Sequence, residues 1–184
     1  MKSYKESGYE FQFDGDWNVI KYDDHRFYKI LSGHDMSGVD FAGMKNRKEV
    51  YLIEIKNYNQ YRGAGITKPI NEFVDEIVEK GRDSLQLITV IMKFMERKFW
   101  YRAFYSFVRR FTWLQPEWYF WTELYRMSIV EKKAIFVLLI DADYDMNEIT
   151  KKVKNELKGY YGDIIIKSIS GEEILGGVMI SKLE

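Results

Sequence analysis

Three residues offer chemistry together in this sequence: Asp40, Glu54 and Lys56. Side chains alternate faces along a strand, so in Glu54-Ile55-Lys56 the glutamate and lysine point one way while Ile53 and Ile55 point the other. The strand is expected to carry charge on one face and aliphatic groups on the opposite one. If the hairpin joining residues 38–44 to residues 50–57 is centred on Arg47, paired positions sum to 94 and Asp40 falls directly opposite Glu54. Opposed residues hold their Cβ atoms about 4.5–5.5 Å apart, and two carboxylates at that distance repel unless something neutralises them. A divalent cation would.

Oxygen ligands without His or Cys suit a hard ion, Mg²⁺ or Mn²⁺, with water and a substrate phosphate in the remaining positions. The backbone carbonyl of Ile55 lies between the two side chains in sequence and is the expected further ligand. A lysine beside such an ion orients or helps deprotonate the attacking water and stabilises charge developing on the phosphate, while the ion acts as Lewis acid. Hydrolysis of a phosphodiester is the reaction these groups suit. The chain has no cysteine, which removes disulfides, thiolate nucleophiles, cysteine-ligated zinc and iron–sulfur clusters.

Gly38-Val39-Asp40, then a hairpin, then Glu54-Ile55-Lys56 and a long helix, resembles the PD-(D/E)XK superfamily of restriction and repair nucleases. The resemblance covers about residues 17–169 in element order, and its diagnostic residues are those three. It implies a restriction endonuclease-like core, metal ligation by Asp40 and Glu54, and service of Lys56 to the nucleophilic water. Val39 stands where the family name has proline. Members usually begin with a helix that often supplies another acidic residue; residues 1–16 make a poor helix, and that part would fall to Glu6 or Glu10.

Other residues have weaker claims. Gln60, in the polar and aromatic stretch Asn57-Tyr58-Asn59-Gln60-Tyr61-Arg62 leaving the site, is the candidate from that loop to line it. His25 and the pair His34-Asp35 could supply a general acid or base near neutral pH, with a surface loop position as the plainer explanation. Lys80, Arg82 and Gln86 fall on or near the polar side of the long helix, where a solvated face accounts for them.

The elements that must position these residues follow from periodicity. Residues 17–22 and 25–31 read as strands around an Asp23-Asp24 turn, followed by strands at 38–44 and 50–57, the last dense in β-branched and aromatic residues. From Ile70 to Met95, apolar residues recur at three- and four-residue spacing, the stripe of one helix. Thr67 can cap it, Pro69 fits its first turn, and Gly81 within the stripe suits close backbone approach. Residues 133–142 read as a buried strand, 146–157 as an amphipathic helix and 163–169 as a strand. Ser170 and Glu173 have capping-box spacing, so a short helix is expected after them.

The chain has 184 residues, 28 basic and 28 acidic, with 46% hydrophobic and 17% aromatic residues. This fits one folded domain, residues 1–184, and excludes a uniformly basic nucleic-acid coat. No secretory signal and no apolar run near the roughly 20 residues of a spanning helix is present, so a cytoplasmic protein is expected. The aromatic surplus concentrates in a helical insertion at about 97–130, where six basic residues accompany two acidic ones. Three readings apply to it: core or homodimer interface, nucleic-acid contact through stacking and phosphate binding, and docking on a membrane surface. The expectation is therefore a mixed α/β domain with antiparallel N-terminal strands and flanking helices, acting as a Mg²⁺- or Mn²⁺-dependent endo- or exonuclease on DNA. The alternative is a noncatalytic protein of the same fold that self-associates or binds a partner through its aromatic helices.

Overall fold

A computed structural model describes residues 1–22, 24–25, 37–58, 68–96, 117–142, 144–169 and 175–183. Among the described residues, eight strands and three α-helices form in chain order: β1 (Lys2–Glu6), β2 (Tyr9–Phe13), β3 (Trp17–Lys21), β4 (Phe41–Lys45), β5 (Glu49–Asn57), α1 (Ile70–Glu96), α2 (Glu117–Tyr125), β6 (Ile135–Asp141), α3 (Met146–Leu157), β7 (Asp163–Ser168) and β8 (Val178–Lys182). Helix α2 continues into a π-helical turn, Arg126–Val130. Five strands make one mixed sheet in the order β3-β4-β5-β6-β7, and the small antiparallel sheet is β1-β2-β8. Strands β3, β4 and β5 run antiparallel, while β5-β6 and β6-β7 are parallel. Parallel neighbours need crossovers; α1 and α2 lie in the first and α3 in the second.

Three layers result. Helix α1 packs on α2 and α3 and covers one face of the large sheet, where Val50, Leu52, Phe136, Leu138 and Ile140 meet Phe73, Ile77 and Leu87. The small sheet covers the other face, where Phe41, Ile53, Val137 and Leu139 meet Phe11, Phe13, Val178 and Ile180. With both faces buried, β6 has no polar side, which explains its near-continuous apolar sequence. The same sandwich limits the expected split of β5 into a charged and an aliphatic face. Val50 and Leu52 lie under the helices, and charge enters on their side only at Glu54 and Lys56, where the strand nears its end.

The β4-β5 register runs from Phe41↔Ile53 to Lys45↔Glu49, so every pair sums to 94 as the hairpin arithmetic requires. Asn46 and Arg47 both take positive φ, 51° and 59°, the conformation of a tight hairpin turn with the right twist. The Lys48 N–H donates to the Lys45 carbonyl across it. Arg47 has no conformational liking for that region, yet its guanidinium lies 4.4 Å from the centroid of the Tyr119 ring, which anchors the turn to α2.

Several elements differ from expectation. Strand β3 pairs with β4 through Trp17↔Lys45 to Lys21↔Phe41; residues 26–31 of the strand expected after the Asp23-Asp24 turn lie outside the described residues. Residues 1–16, read as a poor helix, form β1 and β2. Tyr9, Phe11 and Phe13 alternate inward, and β8 pairs with β2 from the far end of the chain. The capping-box pair Ser170 and Glu173 lies outside the described residues. So do residues 97–116 of the aromatic segment; its described part is used inside, with Tyr119, Phe120, Trp121 and Leu124 all buried in the helix-side core. Among the described residues no helix is long and apolar enough to cross a membrane.

Candidate active site

Asp40 immediately precedes β4, one position beyond the Phe41↔Ile53 pair, and so stands opposite Glu54. Several bonds hold it there. Its backbone carbonyl accepts from Tyr22 N–H at 2.7 Å, and its Oδ2 accepts from Ile55 N–H at 2.7 Å. The preceding residue is tied to α1, because the N–H of Val39 donates to Ser84 Oγ at 2.9 Å, while that hydroxyl donates back to the Lys80 carbonyl at 2.7 Å. The Ser37 N–H donates to Asp83 Oδ2 at 2.9 Å. Strand β4 is therefore led in along α1 with its aspartate half-buried.

Glu54 is fully buried. Two ammonium groups meet its Oε1, Lys80 Nζ at 2.7 Å and Lys56 Nζ at 3.1 Å. Among the described residues its buried Oε2 has no hydrogen-bond partner. Lys56 also reaches Glu76 Oε1 on α1 at 2.5 Å, and the other oxygen of Glu76 takes Lys68 Nζ at 2.7 Å. A chain of alternating charge thus runs Lys80, Glu54, Lys56, Glu76, Lys68.

The electrostatics follow from this layout. Burial, then the neighbouring Glu54 charge, holds the Asp40 carboxyl well above the ordinary carboxylate range, against the pull of Lys80 and the Ile55 N–H. Burial also raises the Glu54 carboxyl, with Lys80 and Lys56 opposing. For Lys56, burial favours the neutral amine, yet the charges of Glu54 and Glu76 overcome it and raise its pKa. Lys56 is a fixed cation. Glu76 moves the other way: burial would raise its carboxyl, but Lys56 and Lys68 lower it to about 2.

Above this network opens a cleft of about 430 Å³ whose lining includes Glu6, Ser7, Asp40, Lys56, Tyr58 and Lys80, with Ile55 also at its wall. It sits where β5 ends beside the β1-β2 turn. Asn57 Nδ2 donates to the Ser7 carbonyl at 2.7 Å, and Tyr9 Oη donates to Asp141 Oδ2, so the small sheet is bonded to the large one along this edge. Glu54 lies beneath the lining rather than in it.

The residues singled out in sequence separate accordingly. Asp40, Glu54, Ile55 and Lys56 come together. Of the two further acids, Glu6 lines the cleft, bonded to Lys21 at 2.9 Å, whereas Glu10 accepts from Ser3 Oγ on an exposed strand face. His25 is elsewhere, 2.9 Å from Glu117 Oε1 and against the Trp121 ring. Gln60, His34 and Asp35 lie outside the described residues. Lys80, read as part of a solvated face, is instead a member of the charge chain; Arg82 does fit that face, bonded to Glu156 at 3.2 Å. Glu76 was not anticipated. The signal for Lys80 was present: positions 73, 77, 80, 84, 87 and 91 recur at three- and four-residue intervals, which puts Lys80 and Ser84 inside the buried stripe. Among the described residues no group of three or more His, Cys, Asp or Glu side chains converges on a metal position. Any cation here would rest on the Asp40-Glu54 pair together with backbone oxygen and water.

The chain matches no protein-family model, no curated protein and no solved structure.

Proposed function

We propose that this protein is a Mg²⁺- or Mn²⁺-dependent nuclease of the PD-(D/E)XK type that hydrolyses phosphodiester bonds in DNA, with Asp40 and Glu54 as metal ligands and Lys56 as the cation beside the attacking water. The observation that carries the reading is the opposition of Asp40 and Glu54 at the end of a ladder whose register sums to 94 throughout, with Lys56 one strand period beyond. The donor set fits a hard ion. Glu54 Oε2 is a buried oxygen without a partner among the described residues, and the Ile55 N–H engages one of the two oxygens of Asp40, Oδ2. With the Ile55 carbonyl these give an all-oxygen set of the kind Mg²⁺ and Mn²⁺ take.

A bound ion would supply Lewis-acid polarisation of the phosphoryl oxygen. The chain's own groups do the rest. Lys56, kept protonated by Glu54 and Glu76, places fixed positive charge where charge develops on the phosphate and orients the water by donating to it. Its raised pKa makes it a charge stabiliser, not the base that removes the proton. Glu76 restrains Lys56 from the α1 side, and Glu54 beneath them is fully buried.

The deciding assay offers single-stranded DNA, duplex DNA and RNA with Mg²⁺ or Mn²⁺ to the wild type and to Lys56→Ala. Cleavage that disappears in the variant is the expected result. Equal inactivity of both on every substrate would sink the reading.

A second reading has its own observation. Glu54 Oε1 already takes two ammonium groups, so the network can serve as a buried ionic brace in a noncatalytic protein. That protein would bind Mn²⁺ no better than Asp40→Asn does, and its stability would be indifferent to millimolar Mn²⁺.

A further inference from the structure

Lys80 is in an unusual place for a lysine. It belongs to the face of α1 whose other members, Phe73, Ile77, Leu87 and Ile91, are fully or almost fully buried. Its side chain is 20% exposed, so an ammonium held there has given up part of its hydration and the freedom of a long side chain, losses offset by a specific charge partner. The partner is Glu54 Oε1 at 2.7 Å, and Lys80 also acts electrostatically on Asp40. Lys56 differs, because Glu76 engages it from the other side at 2.5 Å. Lys80 also lines the cleft, whereas Glu54 lies under it. The ammonium thus sits on the way from the cleft to the carboxylate.

We propose that Lys80 is a resident counter-ion that competes with a divalent cation for the Asp40-Glu54 pair, so that this one side chain limits metal affinity. The inference rests on the reading of Asp40 and Glu54 as metal ligands. Glu54 already carries two ammonium groups, so a divalent ion brought beside it meets added repulsion. Lys56 is held from the other side by Glu76, and Lys80 is the cation that withdraws along its flexible stem toward the cleft. A lysine serving only to brace the fold would act in the opposite sense, and its loss would loosen the carboxylates and weaken binding.

The test is direct Mn²⁺ binding, read from the electron paramagnetic resonance signal of the free ion, on wild type, Lys80→Met, Lys80→Gln and Asp40→Asn. Lys152→Met, which removes an ion pair to Glu148 on α3, is the control for lost surface charge. The expected result is affinity roughly tenfold or more tighter in both Lys80 variants, no change in Lys152→Met, and loss of binding in Asp40→Asn. Lys80→Gln keeps a donor for Glu54 and carries the test if the Met variant does not fold. Unchanged or weaker binding in the Lys80 variants, with binding still abolished by Asp40→Asn, overturns this proposal and leaves the metal site standing. Absence of Mn²⁺ binding in every protein overturns both.

Discussion

The carboxylate of Asp40 accepts a hydrogen bond from the backbone N–H of Ile55 at 2.7 Å, which clamps the aspartate of one strand to the residue after the glutamate of the next. The clamp holds two acidic groups close together in a place where burial opposes the charge of both. Function of the proposed kind therefore works against stability at this point.

Asp40→Asn removes one of these charges while keeping an oxygen that can accept from Ile55. The folded pKa of Asp40 lies well above its ordinary 3.8. Below that ordinary value both folded and unfolded chains carry the proton and nothing is lost. As pH rises through it, the unfolded chain ionises first and stability falls, until pH passes the folded value. Thermal midpoints of wild type and Asp40→Asn should therefore coincide near pH 3 and separate as pH rises. At neutral pH without divalent cations the variant should melt roughly 2–4 °C higher, the change that about 1 kcal/mol makes in a chain of this size. A variant that melts lower than wild type at neutral pH would mean that Asp40 is a net stabiliser.

Glu76→Gln makes the opposite prediction. Its folded pKa is lowered from 4.5 to about 2, so its contribution is fully present above the unfolded value and is lost as pH falls through the folded one. Denaturation curves should show Glu76→Gln less stable than wild type at pH 7, with the gap closing by about pH 2. If the cleavage reading holds, the variant should also lose activity by about 10–100-fold, the usual cost of removing a group that orients a reacting one. A pH-independent stability gap would show that Glu76 acts through packing alone.

Phe41→Ala tests how the small sheet supports the site. Phe41 is fully buried and its ring centroid lies 5.5 Å from Tyr4, 5.6 Å from Phe11 and 5.8 Å from Phe13. It follows Asp40 directly and opens β4, so the packing that holds Phe41 also fixes where the aspartate stands at the entry to the strand. Truncation should cost about 3–5 kcal/mol in urea unfolding and weaken Mn²⁺ binding along with stability. Binding unaffected by so large a core loss would detach the small sheet from the site.

The parts of this architecture written in local pattern were legible. The stripe from Ile70 to Met95 became α1 at Ile70–Glu96, and residues 146–157 became α3 within the same bounds. The β4-β5 register was legible because a short turn leaves it little choice. The small sheet was not, although Tyr9, Phe11 and Phe13 alternate with polar residues at strand period. What completes it is β8, about 170 residues further on, and no local spacing announces a partner at that distance. The candidate site divides in the same way. Asp40, Glu54 and Lys56 share one hairpin and could be found by arithmetic. Glu76 and Lys80 come from a helix laid across that hairpin, and only the position of Lys80 inside an apolar stripe hinted at its destination.

Gly81, next to Lys80, controls how closely that helix lies. A Cβ at this position would meet the Leu157 methyl carbons at 3.2 and 3.3 Å and Phe136 at 3.4 Å, and the Gly81 carbonyl accepts from Tyr161 Oη at 2.7 Å. In Gly81→Ala the gain in helix propensity, about 1 kcal/mol, opposes contacts tighter than most side chains accept, so the net change should be small. Gly81→Leu cannot be accommodated by the Leu157 side chain and should cost about 1–3 kcal/mol by overpacking, measured by urea unfolding. Because the added side chain pushes α1 away from α3 and β6, it also moves Lys80 relative to Glu54. Mn²⁺ affinity in Gly81→Leu should then shift from the wild-type value while that of Gly81→Ala does not. Equal affinities in the two variants, with the stability loss present, would show that the grip of Lys80 on Glu54 does not depend on how tightly the helix is seated.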